Sequence, residues 1–260
     1  MFNNPIENLF SLNNQCSRMK KSMSMFMMLF VLCTVTAQDK IVKLYQQVPS
    51  SKQATGYAES ADTAADGNIR IKNITDPEMI VFYPKKGKSN GAAVVICPGG
   101  GYGIVSMTNE GYSIAQKLNE NGITAFILKY RLPSDGIMVD KTIGPLQDAQ
   151  QALKLVRENA TEYHTDANKV GIMGFSAGGH LASTAGTHFN QVVIDNPKNT
   201  NLRPDFMVLV YPVISFGDYQ HKGTRVHLIG TTPSAELVNL YSNELQVTGY
   251  TNYISSPCSR

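Results

Sequence analysis

Val170-Gly171-Ile172-Met173-Gly174-Phe175-Ser176-Ala177-Gly178-Gly179-His180 opens with an apolar run of strand length, Val170 to Met173, and passes straight into Gly-x-Ser-x-Gly. Small residues continue through Ala182, where a helix can start. A serine at such a strand-to-helix turn sits in strained backbone, and glycines two before and two after it remove the Cβ atoms that would collide. Its hydroxyl then stands clear of the sheet, which makes Ser176 the candidate nucleophile. Because Gly-x-Ser-x-Gly also occurs at ordinary strand-to-helix turns, the motif alone does not establish a hydrolase.

Upstream, Ala92-Ala93-Val94-Val95-Ile96-Cys97 is continuously apolar and rich in β-branched residues, the pattern of a strand buried on both faces. It ends in Pro98-Gly99-Gly100-Gly101-Tyr102. Three successive glycines allow backbone geometry closed to other residues, so unpaired N–H groups can face a bound oxyanion. A phosphate cradle would need a Gly-Lys-Ser/Thr ending, which is absent, and this disfavours a nucleotide-binding α/β domain. A glycine loop after one strand followed by a glycine-flanked serine after another specifies a serine-hydrolase scaffold.

With Tyr130-Arg131-Leu132-Pro133 after the next strand and Asp148-Ala149-Gln150-Gln151-Ala152 at a helix start, these motifs resemble the α/β-hydrolase superfamily. Within it they are similar to the esterase branch related to hormone-sensitive lipase and bacterial acetyl-xylan esterases. The resemblance covers roughly residues 40 to 250. It implies oxyanion-hole N–H groups at Gly100, Gly101 and Ala177, a substrate of short acyl esters on carbohydrate, whether small molecule or polysaccharide, and no cofactor. Each oxyanion donor is typically worth about 3 kcal/mol in the transition state. Pro98 stands where that family often has a histidine, which removes one side chain that could orient the loop but none of its backbone donors.

Composition agrees with a single α/β domain: 260 residues, 42% hydrophobic and 17% charged. Met19-Lys20-Lys21 starts a basic patch, Phe26 to Leu32 is apolar, and Val35-Thr36-Ala37 supplies small residues for cleavage, so residues 19–37 read as a secretory signal peptide. The apolar segment is too short to span a membrane. Residues 1–18 fit no targeting logic and read as a mis-called leader, with translation starting at Met19. This divides the chain into 1–18, 19–37 and a hydrolase domain at 38–260, with a secreted or periplasmic product free of the membrane. Loss of Glu7, Arg18, Lys20 and Lys21 takes the net charge from +3 to about +1, and no basic patch suggests nucleic acid. Cys16 and Cys33 go with the leader, while Cys97 and Cys258 read as free thiols. No cluster of ligating residues points to a metal.

In chain order, Ile41 to Val48 reads as an edge strand and Ser50 to Gly67 as an exposed loop. Ile69 to Lys72 and Met79 to Tyr83 read as an antiparallel hairpin leading into the sheet. A helix marked by Ile114, Ala115 and Leu118 stops at Asn121-Gly122. A strand follows at Ile123 to Tyr130, a helix at Asp148 to Ala160, and a sixth central strand at Phe206 to Val213. The alternation specifies an α/β fold with a mostly parallel sheet, helices on both faces and ligands beyond the carboxyl ends of the strands. Thr232-Pro233 is placed to cap and open a short helix above the site, where the resemblance implies a cap.

Ser176 needs a histidine to take its proton and a carboxylate to orient that histidine, in the order acid then His after the serine. His164 precedes the serine strand and falls at the wrong end of the sheet. His180, four residues beyond Ser176, reads as a helix-packing histidine, and His188 lies further along. His221 and His227, with Asp218, follow the sixth strand and could reach the rim. Only 47 residues follow Val213, too few for the two later strand units, each of roughly 30 residues, and Asn252 to Arg260 holds no Asp, Glu or His. The expectation is therefore a truncated or frame-shifted chain that lacks the last strands together with the triad acid and histidine. Such a chain has an exposed sheet edge and poor solubility; the leading reading stays a secreted serine carboxyl-ester hydrolase with Ser176 as nucleophile, and the alternative is a catalytically impaired remnant that at most binds esters or sugars weakly.

Overall fold

The computed structural model describes residues 40–52 and 55–252 and the backbone of 254 and 255. The segments read as leader and signal peptide, and Cys16, Cys33 and Cys258, lie outside the described residues. A central seven-stranded sheet contains β1 (Lys40–Lys43), β4 (Glu78–Phe82), β5 (Ala93–Cys97), β7 (Thr124–Lys129), β8 (Val170–Phe175), β9 (Met207–Val210) and β10 (Ile254–Ser255). Their order is β1-β4-β7-β5-β8-β9-β10. From β7 to β10 every pairing is parallel, while β4 runs against both of its neighbours. β5 and β7 are buried along their whole length, which is why both are continuous apolar runs without alternation. Each fully buried Val, Ile or Phe side chain there contributes roughly 1.5–3 kcal/mol.

Three helices pack against this sheet: α1 (Ser113–Glu120), α2 (Gly144–Glu158) and α3 (Ser176–Thr187), with α2 beside α3. α1 ends where Asn121 caps it and Gly122 turns left-handed at φ 78°. A Cβ at Gly122 would lie 2.4 Å from the Lys88 carbonyl oxygen, so the position excludes other residues on two counts. α2 begins a turn earlier than Asp148, at Gly144 with Pro145 in its first turn, because proline's fixed φ suits that place.

Three parts of the edge region differ from the pattern expected. The stretch read as a loop contains β2 (Ser60–Thr63), which pairs with β3 (Ile69–Lys72), and β3 pairs in turn with β6 (Val105–Ser106) in a separate small sheet. The expected hairpin between β3 and β4 therefore does not form, because β4 is taken by β1 and β7. β1 itself stops at Lys43 and β9 at Val210. Two short helices follow, α4 (Lys222–Ile229) and α5 (Ala235–Leu240), and then a single 3-10 turn at Asn243–Leu245. The cap of α5 is Ser234, whose hydroxyl accepts from Leu237 N at 3.3 Å, so Thr232 is not the capping residue.

The register places the site. Cys97 at the end of β5 lies opposite Gly174 near the end of β8, so the glycine loop and the serine turn leave the sheet side by side at the same edge.

Candidate active site

Ser176 turns the chain from β8 into α3 at φ 51°, a left-handed conformation that costs a non-glycine residue of order 1–3 kcal/mol. The flanking glycines make the turn possible. A Cβ at Gly174 would lie 2.1 Å from the Gly178 carbonyl oxygen, and one at Gly178 would lie 2.1 Å from the Cys97 carbonyl oxygen. A Cβ at Gly99 would stand 3.0 Å from Ser176 Cβ, so the first loop glycine and the serine are in direct apposition. Gly100 (φ 135°), Gly101 (φ 62°) and Tyr102 (φ 62°) then curl the loop back. Gly100 O accepts from Gly103 N at 3.0 Å and Ile104 N at 3.2 Å, which closes the turn. Among the described residues the N–H groups of Gly100, Gly101 and Ala177 donate to no protein acceptor.

The loop is held from below. Tyr130 donates its hydroxyl to the Pro98 carbonyl at 2.8 Å. Its neighbour Arg131 forms a buried bidentate pair with Asp148 of α2: Nη2 and Nε reach Asp148 Oδ1 and Oδ2 at 2.8 and 3.0 Å, and Arg131 N donates to Oδ2 at 2.8 Å. The Tyr-Arg and Asp-Ala-Gln-Gln-Ala motifs are thus two halves of one brace. Tyr102 donates to His180 Nδ1 at 2.9 Å, and His180 Nε2 lies 2.9 Å from the Tyr241 carbonyl. A carbonyl can only accept, so Nε2 carries the proton and Nδ1 accepts. Burial pushes this imidazole down to about 4 against the pull of the Tyr241 carbonyl, and it stacks on Phe216 with centroids 4.4 Å apart. His180 is a packing residue with both nitrogens engaged. His188 likewise points Nε2 at the Leu240 carbonyl at 3.1 Å, so the end of α5 rests on α3 rather than over Ser176.

The helix above the loop is α4. His227 Nδ1 lies 2.7 Å from the Gly101 carbonyl, so Nδ1 bears the proton and Nε2 of the neutral ring keeps its lone pair. His221 caps α4 instead: Thr224 N donates to its Nδ1 at 3.2 Å, which puts the proton of the neutral ring on Nε2. Among the described residues neither histidine bonds Ser176 Oγ, and Asp218 bonds neither histidine. His164 lies in a cleft with Tyr83 and Thr124 at the other end of the strands. No group of three or more ligating side chains gathers among the described residues.

Two residues absent from the sequence reading border Ser176. Glu110 lies in a wide turn, Thr108–Tyr112, closed by Tyr112 N to Met107 O at 2.8 Å. Its Oε2 accepts from Gly99 N at 2.6 Å and its Oε1 accepts from the Tyr211 hydroxyl at 2.9 Å. Tyr211, at φ 36° just past β9, packs on Phe175 with ring centroids 5.8 Å apart. Burial and the Glu110 carboxylate push its phenol up to about 12. Glu110 and Tyr211 stand 101 positions apart with no periodic signal to link them. The sequence held no cue to either, since Tyr211 fell inside the run Phe206 to Val213 read as a strand and Glu110 followed no strand that the pattern marked.

The BD-FAE family model matches residues 79–249, more than half of the chain and all of the site. The chain belongs to the BD-FAE family. Its fold is that of the α/β-hydrolases, shared with the acetyl ester-xyloside bifunctional hydrolase from Caldicellulosiruptor lactoaceticus at a TM-score of 0.64 and 30% identity, over 83% of this chain and 73% of that one. An acetylxylan esterase of Xylanibacter ruminicola is 36% identical over 193 residues, 73% of this chain. An endo-1,4-beta-xylanase B of Butyrivibrio fibrisolvens is 36% identical over 156 residues, 59% of this chain. The chain spans 37% and 24% of the length of these two curated relatives.

Proposed function

We propose that this BD-FAE chain is a serine carboxyl-ester hydrolase of acetyl-xylan esterase type that cleaves short acyl esters on carbohydrate. Ser176 is the nucleophile and the N–H groups of Gly100, Gly101 and Ala177 form the oxyanion hole. The apposition of Gly99 to the left-handed Ser176 carries this reading, because it sets a raised hydroxyl against a turn of free amides. Ser176 Oγ attacks the ester carbonyl carbon, the carbonyl electrons move onto oxygen under the amides, and the bond to the sugar oxygen breaks as that oxygen takes a proton. Water then releases the acid and restores the serine. The site has to move the hydroxyl proton, and on this rim the ring nitrogen with a free lone pair is His227 Nε2. The relatives named for acetylxylan and xylan chemistry support the substrate class. The residue 19–37 pattern supports action in the periplasm or outside the cell.

One observation favours a second reading, in which the chain is catalytically impaired: no histidine among the described residues bonds Ser176 Oγ. Hydrolysis of a short-chain ester by the wild type and by Ser176→Ala, with fluorophosphonate labelling of both, separates the two. Labelling confined to Ser176 and loss of turnover in the variant are expected. Equal rates and no labelling leave the impaired reading standing.

A further inference from the structure

Tyr211 is large, aromatic and 59% exposed, yet its hydroxyl and one side of its ring are tied to neighbouring elements. Its backbone takes a left-handed φ of 36°, where a bulky side chain is strained by of order 1–3 kcal/mol, and such strain persists only when the surroundings enforce it. The enforcement is visible on three sides. Val213 N donates to Ser176 O at 2.9 Å and ties the segment to the serine turn. Phe175, the residue before Ser176, supports the ring from beneath. The hydroxyl is fixed by Glu110, whose other oxygen holds the first amide of the glycine loop. An aromatic surface at a set angle therefore bridges the serine turn and the glycine loop, with its free area turned to solvent at the mouth of the site.

We propose that Tyr211 is the sugar platform of this site: its ring stacks against the pyranose that bears the ester and presents the acyl group to Ser176. Tyrosine suits this role because an apolar face can cover the C–H face of a sugar while its polar tip is tied down, so little side-chain entropy is lost on binding. Tyr211 is a positioning residue. Its role as stated rests on the reading of Ser176 as an ester-cleaving nucleophile, but sugar binding at the ring can be measured without turnover.

The ring-free variant is Tyr211→Asn, since asparagine tolerates the left-handed backbone that alanine would strain. Tyr211→Phe keeps the ring and loses only the bond to Glu110. In a Ser176→Ala background, calorimetric titration with acetylated xylotriose should weaken at least tenfold for Tyr211→Asn and less than threefold for Tyr211→Phe. In the active background, Tyr211→Asn should raise KM for acetylated xylotriose at least tenfold and lower kcat/KM for that ester at least five times more than for ethyl acetate. Unchanged sugar binding in Tyr211→Asn, no binding in its Ser176→Ala parent, or equal losses on both esters would overturn the platform. If no ester is turned over while the sugar still binds through Tyr211, the platform stands and the hydrolase reading falls.

Discussion

The glycine loop is gripped from two sides, and the two grips are built differently. Below it, Tyr130, Arg131, Asp148, Tyr102 and His180 form a dry layer in which the donors and acceptors facing the loop are matched. Above it, α4 buries Leu228 and Ile229 in the core but reaches the loop backbone through an exposed hydrogen bond, His227 Nδ1 to the Gly101 carbonyl. The lower grip fixes where the amides point, and its energy is that of buried polar groups, costly to leave unmatched. The upper one is bathed in water, so its loss exchanges one hydrogen bond for another. The shape of the loop is set from beneath.

The contrast breaks most visibly at Asp148. Asp148→Ala should lower the unfolding free energy by about 3–5 kcal/mol, because Arg131 keeps its charge in a place water does not reach. Urea unfolding measures this, and a loss under 1 kcal/mol would mean that the lower layer is solvated like the upper one.

Acid gives the next largest effect. A histidine whose folded value is depressed to about 4 from an ordinary 6.5 contributes stability that is present above pH 6.5 and lost as the pH falls towards 4, since the unfolded chain binds the proton first. At 1.36 kcal/mol per unit, His180 alone should cost about 3 kcal/mol between pH 7 and pH 4. His188, also lowered by burial, acts in the same direction. Comparing the fall with that of His180→Gln, which cannot titrate, isolates the effect. Parallel curves for the two proteins would show that the imidazole is not sealed off.

The smallest effect is the sharpest test of the upper grip. His227→Ala should change the unfolding free energy by no more than about 0.5 kcal/mol, as at other exposed positions, and a larger loss would show that this bond is not simply exchanged for one to water.

The sequence made the lower layer legible only in part. β5, β7 and β8 were readable because parallel strands buried on both faces leave continuous apolar runs, and the turn glycines because no other residue fits there. β2 was missed because Ser60-Ala61-Asp62-Thr63 has no apolar alternation, and its pairing comes from a partner elsewhere in the chain. The start of α2 was misplaced because Gly144-Pro145 reads as a turn until the helix is seen to follow. Tyr130 and Asp148 stood in quoted motifs, but a motif does not say which carbonyl or guanidinium its members hold. Glu110 and Tyr211 were invisible, since a contact between two loops leaves no local trace in either.

Seven non-glycine residues among those described adopt a left-handed backbone, and three of them, Tyr102, Ser176 and Tyr211, surround the same few ångströms at the sheet edge. Exchange of Ser176 or Tyr211 to glycine or asparagine would relieve that strain with no change of fold, whereas Tyr102 also fills the core and holds His180. A lineage that no longer needs this chemistry should therefore drift first at Ser176 and Tyr211, and descendants that keep both declare that selection is still acting on the pocket.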